Sequence, residues 1–177
     1  MKTAEKNFDL KTAIRDVPDF PKKGILFKDI TTLLARGDVF RNVIDQFADH
    51  YKESKIEKVV GIESRGFIFG APVAYALGAG VVPIRKKGKL PYKTISATYA
   101  LEYGTDTLEM HEDALKKGAK VLIIDDLLAT GGTAKATAEL VEKVGAKIVG
   151  IAFLIELEFL KGRQNLSGYD IFSLIKY

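Results

Sequence analysis

Two adjacent carboxylates, Asp125 and Asp126, stand directly before a small-residue turn, Leu127 to Thr133, that brings together two glycines and two threonines. Such a turn suits a phosphate. Glycine lets backbone approach closely, successive N–H groups face outward at a helix start, and the helix dipole favours negative charge there. Thr130 and Thr133 add hydroxyl donors. Carboxylates beside an anion cradle would repel a bare phosphate unless the ligand also offers hydroxyl donors or a metal ion. A ribose phosphate offers the hydroxyls: its phosphate would rest on Ala129, Thr130, Gly131, Gly132 and Thr133, and its diol would donate to Asp125 and Asp126. The same residue types also make an ordinary helix N-cap with surface carboxylates, and this segment alone leaves both possibilities open.

Three other constellations bear on chemistry. GIESRGF sets Glu63, Ser64 and Arg65 at a strand end before a helix that begins near Gly66, a second turn compatible with an anion or a purely structural one. RKKGKLPYK gathers Arg85, Lys86, Lys87, Lys89 and Lys93 around one glycine and one proline. It reads either as a solvated loop or as a mobile lid that closes over a charged group and excludes water. Leu26 and Phe27 offer flat apolar surface of the kind a purine needs, or simply part of a core strand.

The elements that must position these residues follow from apolar spacing. Val121 to Ile124 form an unbroken apolar run, as expected of a central strand covered on both faces, and Ala134 to Val144 continue as a helix. Phe8, Leu10, Ile14 and Val17 predict an N-terminal helix over 2–16, ended by Pro18 and Pro21. Phe40, Ile44, Phe47 and Tyr51, with Val39 and Val43 beside them, predict a helix over 39–51. Strands are expected at 58–62, 81–85, 147–155 and 170–175, a helix at 66–77, and a β-hairpin of 95–103 with 107–111 around Gly104. Alternation of strand and helix implies an α/β fold with a mostly parallel central sheet flanked by helices. Ligands are then expected outside the carboxyl ends of the strands.

Composition and missing motifs narrow the functions. The 177 residues suffice for one well-buried domain, with 47% hydrophobic and 28% charged residues. No apolar run approaches the length of a membrane span and no signal-peptide pattern opens the chain, so a cytoplasmic protein without membrane contact is expected. Cysteine is absent, and the two histidines, His50 and His111, share no metal-site spacing. A net charge of +4 favours anionic ligands, but no basic helix or nucleic-acid module accompanies it. Neither the P-loop nor the dinucleotide glycine pattern is present.

Val121 to Ala134 resembles the phosphoribosyl pyrophosphate binding motif of the type I phosphoribosyltransferases: apolar residues, two acids, then a turn of T-G-G-T type. The resemblance extends through FPKKGILFKDITTLL (Phe20 to Leu34), GIESRGFIFG (Gly61 to Gly70), IRKKGKLP (Ile84 to Pro91), YALEYGTDTLEM (Tyr99 to Met110) and LIELEFLKGR (Leu154 to Arg163). In this order they are similar to the adenine phosphoribosyltransferases over nearly the whole chain.

That resemblance implies transfer of 5-phosphoribose from phosphoribosyl pyrophosphate to adenine, giving AMP and pyrophosphate. It implies one phosphoribosyltransferase domain over 1–177, with 1–34 an N-terminal helix and base-binding hood and 86–100 a flexible catalytic loop or hairpin lid. Ser64, Arg65, Arg85, Lys89 and Tyr103 would bind pyrophosphate, Arg65 would also approach the reaction centre, and Leu26, Phe27, Lys28 and Leu157 would bind adenine. Glu102 would exchange a proton with the purine, although from sequence alone it reads as an exposed strand carboxylate. Mg2+ is implied as cofactor, held mainly by substrate and water with no protein metal site, and a homodimer is implied as the assembly. A phosphoribosyltransferase for another nucleobase, or a non-catalytic sensor of phosphoribosyl pyrophosphate, are the alternatives. GILFKDITTLL and the basic run weigh against them.

Overall fold

In the computed structural model, residues 9–100 and 105–177 are described. They fall into two compact units, one ending at Gln46 and the other running Phe47–Tyr177. No helix among the described residues is long and apolar enough to cross a membrane.

Of the predicted N-terminal helix over 2–16, residues 2–8 lie outside the described residues, and residues 9–16 depart from it. They hold a single 3-10 turn, Leu10–Ala13, capped by Asp9, whose carboxylate accepts from Lys11 N at 3.1 Å. Strand β1 (Arg15–Pro18) follows and pairs antiparallel with β2 (Leu26–Asp29). The reason is local: β-branched Ile14 and Val17 favour extended backbone, and Pro18 excludes the helical conformation at the residue before it. A one-turn helix α1 (Thr31–Leu34) and the long helix α2 (Gly37–Tyr51) come next. In α2 the deepest residues are Val39, Val43 and Phe47, while Phe40 is half-buried, so the apolar stripe is rotated slightly from the one expected.

The second unit is a seven-stranded sheet in the order β5-β6-β4-β3-β7-β8-β9. Its strands are β3 (Lys58–Ile62), β4 (Gly80–Lys86), β5 (Thr94–Ala100), β6 (Thr105–His111), β7 (Lys120–Leu128), β8 (Lys147–Glu156) and β9 (Ile171–Lys176). The five strands β4, β3, β7, β8 and β9 are parallel, and β5 and β6 add an antiparallel hairpin beside β4. Part of the segment 86–100 is therefore paired strand, and the loop between β4 and β5 is confined to 87–93.

Helix α3 (Arg65–Leu77) links β3 to β4, and α4 (Gly132–Lys143) links β7 to β8. A Cβ on Gly70 would lie 3.6 Å from Ile124 and 3.7 Å from Val59, which places α3 on one face of the sheet. On the other face, Ala134, Ala138, Leu140 and Val141 of α4 pack with Val60, Ile62, Val121 and Ile123. All four residues Val121 to Ile124 are fully buried, which explains a strand without alternation.

Candidate active site

Going outward from β3, the chain first adds β4 on one side and later β7, β8 and β9 on the other. The strand order therefore reverses between β3 and β7, and the carboxyl ends of these two neighbours frame the crevice where such sheets bind ligands. Close packing joins the two ends: a Cβ on Gly66 would lie 2.9 Å from both Asp125 Oδ1 and the carbonyl oxygen of Ile124. Only glycine lets the start of α3 sit against the end of β7.

Asp125 and Asp126 stand side by side on β7, and Asp125 Oδ1 accepts from Asp126 N at 2.9 Å. Arg65 Nε lies 2.6 Å from Asp126 Oδ2, a pairing of a half-exposed guanidinium with a buried carboxylate. Burial and the neighbouring Asp126 charge push the Asp125 carboxyl well above its usual range. Asp126 is also raised by burial, although Arg65 opposes the shift. Each carboxylate carries one donor here, Asp126 N–H on Asp125 and Arg65 on Asp126, which leaves acceptor positions that a vicinal diol can fill.

Just beyond them the chain turns into α4. Gly131 adopts φ +84°, and a Cβ there would stand 2.6 Å from the carbonyl oxygen of Gly162. As N-cap it has no side chain to cover the helix start, so the first-turn N–H groups, which helix geometry leaves without intrahelical acceptors, remain available to an anion. Asp125 and Leu127 to Ala134, together with Phe153, line a small open concavity. All five residues expected to hold the phosphate belong to it.

The second turn carries a cis peptide between Glu63 and Ser64. Glu63 Oε2 accepts from Arg85 Nε at 3.2 Å and from Lys86 N at 3.0 Å, and Oε1 accepts from Lys89 Nζ at 2.5 Å. Burial alone would raise the Glu63 carboxyl, but donation from Lys89, the Lys86 N–H and Arg85 outweighs it and holds the group at about 2. Arg85 also donates through Nη1 to the Lys89 carbonyl at 3.2 Å. Two of the three cations expected to bind pyrophosphate, Arg85 and Lys89, therefore meet on one carboxylate.

The residues expected to bind the base lie in both units. In the first, β2 carries Leu26, Phe27 and Lys28; Leu26 is 51% exposed, and Phe27 meets the Phe20 ring edge-on at a centroid distance of 5.1 Å. Lys28 Nζ lies 2.6 Å from Asp16 Oδ1. In the second, half-buried Leu157 follows β8 and donates its N–H to the Leu128 carbonyl at 2.9 Å. Glu102 and Tyr103 lie outside the described residues.

Comparison with known proteins agrees with this geometry. A family model described as a phosphoribosyl transferase domain matches residues 29–174. An adenine phosphoribosyltransferase of Solibacter usitatus is 61% identical over 169 residues, covering 96% of this chain and 98% of that one. The chain belongs to the adenine phosphoribosyltransferase family. Among solved structures, the family member from Thermoanaerobacter pseudethanolicus superposes with a TM-score of 0.91 at 55% identity, covering 94% of this chain and 97% of that one. The Saccharomyces cerevisiae member, solved with an imino-altritol bisphosphate and adenine, has a TM-score of 0.89 at 45% identity, covering 93% and 95% respectively.

One feature of this family member escapes motif reading. Arg163 forks onto buried Glu156, with Nε to Oε1 at 2.6 Å and Nη2 to Oε2 at 2.8 Å, and its Nη1 donates to the Ile171 carbonyl at 3.2 Å. This fork anchors the 3-10 segment Gly162–Leu166. From that segment Asn165 Nδ2 donates to the Thr130 carbonyl at 2.8 Å, and Gly162 packs against Gly131. The shape of the turn at Thr130 and Gly131 is thus set by a segment some thirty residues later, as the separation of 35 between Thr130 and Asn165 shows. In the sequence these residues fall within LIELEFLKGR, where Glu156 and Arg163 stand seven apart but belong to a strand end and a 3-10 segment rather than to one helix.

Proposed function

We infer that the chain transfers 5-phosphoribose from phosphoribosyl pyrophosphate to adenine, releasing AMP and pyrophosphate, a purine salvage reaction. The observation that carries this reading is the juxtaposition, at the end of one strand, of two adjacent carboxylates and an uncapped helix start. Family membership supplies the base.

The residues divide the work. Ala129, Thr130, Gly131, Gly132 and Thr133 hold the 5-phosphate through backbone N–H and hydroxyl donors, and Asp125 and Asp126 accept from the ribose diol. Ser64, Arg65, Arg85, Lys89 and Tyr103 take the pyrophosphate. Phe27 gives the purine a ring face, Leu26 and Lys28 give it backbone contacts, and Leu157 gives it an aliphatic contact. Displacement at the anomeric carbon builds positive charge on the sugar and negative charge on the leaving group. Carboxylates at the diol and cations at the pyrophosphate oppose each change where it develops. Glu102 exchanges the proton at the purine nitrogen.

Magnesium fits this donor set. Substrate and water would supply most of its ligands, since the pyrophosphate offers the hard oxygens it takes while Asp125 and Asp126 are engaged by the ribose diol. When bound, it neutralises the concentrated charge of the pyrophosphate. A sugar bearing a phosphate and a pyrophosphate does not cross a bilayer unaided, which favours the cytoplasm as the place of reaction. A homodimer is favoured by the exposed apolar side chains Ile68 and Tyr75 on α3, with Val81 at 45% exposure just beyond it.

The test is AMP formation from adenine, phosphoribosyl pyrophosphate and magnesium, run beside hypoxanthine, guanine and uracil. Product from adenine at a rate well above the other bases is expected. No AMP from adenine would overturn the reading.

A further inference from the structure

The carboxylate of Glu63 is only 9% exposed and takes three donors from a single segment: Arg85 Nε, Lys86 N and Lys89 Nζ. Its sequence context, between β3 and the Ser64–Arg65 turn, suggested an anion-binding turn, yet what stands there is itself an anion. Its partners are two of the cations assigned to pyrophosphate. We propose that Glu63 is a resident counter-anion for Arg85 and Lys89, an internal competitor that pyrophosphate displaces on entry and that reclaims the two cations on exit. This rests on the assignment of Arg85 and Lys89 as pyrophosphate ligands.

The charge arithmetic favours exchange in both directions. One carboxylate faces two cations, so the cluster keeps a net positive charge that attracts an incoming polyanion. Pyrophosphate has more charge and more acceptor oxygens than a single carboxylate, so it can outcompete Glu63. Once it is seated, the Glu63 charge stands unpaired beside another anion, and this repulsion loosens the product. Arg85 and Lys89 move as a pair, because Arg85 also donates to the Lys89 carbonyl.

The rest of the segment does not depend on Glu63. Lys86 Nζ lies 3.1 Å from Asp106 Oδ2, and Gly88 N donates to Glu109 Oε2 at 2.9 Å, so β6 holds the segment at two other points. A Glu63→Gln substitution keeps the shape and an acceptor for Lys86 N while removing the charge. A purely structural tether and a counter-anion then differ in sign. Loss of a tether loosens the cations and weakens pyrophosphate binding, whereas loss of a competitor strengthens it.

Calorimetric titration of inorganic pyrophosphate with magnesium into wild type, Glu63→Gln, Lys89→Ala and the double variant separates these cases. Glu63→Gln is expected to bind roughly tenfold more tightly, from the worth of a hydrogen bond between charged groups. Lys89→Ala is expected to bind at least about tenfold more weakly by the same scale, and most of the Glu63→Gln gain should vanish in the double variant. Unchanged or weaker binding by Glu63→Gln overturns the proposal, and unchanged binding by Lys89→Ala overturns the assignment of Lys89 instead. Should Glu63→Gln not fold, Glu63→Asp, whose shorter carboxylate reaches the cations less well, is expected to bind more tightly than wild type; the opposite result overturns the proposal equally.

Discussion

Arg65 Nε stands 2.6 Å from Asp126 Oδ2, so a cation assigned to the leaving group and a carboxylate assigned to the sugar neutralise each other across neighbouring strand ends. The two halves of the substrate thus compete with one ion pair. Arg65→Met leaves Asp126 buried without its counter-ion. Because the guanidinium is half-exposed, the expected loss of stability is only about 1 kcal/mol. The expected loss in kcat/KM is on the order of a hundredfold, as for removal of one charge-stabilising donor. Thermal denaturation and steady-state kinetics with adenine check the two figures.

Asp125→Asn is expected to stabilise the ligand-free protein at neutral pH while impairing ribose-phosphate binding. The folded-state carboxyl is raised by burial and by Asp126, so between the unfolded carboxylate range and this higher value the folded state binds more protons than the unfolded one. Stability therefore falls as pH rises through that window, and the neutral amide removes the fall. A gain in stability is expected at pH 7. Melting curves at pH 4 and pH 7, with AMP titration alongside, measure both effects; a less stable variant at pH 7 would refute the argument.

Gly131→Ala meets two obstacles at once, a φ of +84° and the Gly162 carbonyl oxygen 2.6 Å from the new methyl carbon. A destabilisation of about 1–3 kcal/mol is expected, in line with strain at a left-handed position. The KM for phosphoribosyl pyrophosphate should rise more than the KM for adenine. An equal rise in both would argue against a phosphate role for this turn.

The Arg163–Glu156 fork should show in acid. Glu156 is lowered by donation from Arg163, so its contribution is complete above the unfolded carboxylate range and is lost as pH falls through the lower folded-state value. In Arg163→Met the stability lost at neutral pH is expected to be about 2–4 kcal/mol, and the decline between pH 5 and pH 3 should become shallower than in wild type. Denaturant midpoints across that range supply the comparison. Phosphoribosyl pyrophosphate binding should weaken too, since the fork anchors the segment that holds Thr130.

Phe27→Ala tests the base end separately. Loss of a ring face is expected to raise the KM for adenine about tenfold, by the worth of an aromatic contact, with little change for phosphoribosyl pyrophosphate. Initial-rate kinetics with each substrate varied in turn would reveal the split.

What could be read in advance depended on periodicity. Val121 to Ile124 announced a doubly covered strand, and the structure has that strand as β7 with all four residues fully buried. The helix after Gly66 and the strands on either side followed from the same patterns. Within the described residues the N-terminal stripe misled because Leu10, Ile14 and Val17 fit a helix by spacing while Pro18 biases Val17 toward extended backbone. Long-range pairs were not legible at all: Glu63 meets Arg85 and Lys89 across 22 and 26 residues, and Asn165 meets Thr130 across 35. Such pairs arise from which strands become neighbours, and no local spacing encodes that.

On the roles proposed for the two turns, the pairing of β3 with β7, from Lys58 opposite Val121 to Gly61 opposite Ile124, makes them the jaws of a caliper. Neighbouring strands are held about 4.8 Å apart by their backbone hydrogen bonds, a spacing that side-chain motion does not alter. The span between phosphate and pyrophosphate is therefore gauged by the sheet itself. A sugar whose two charged ends lie one bond further apart must strain itself or give up one jaw.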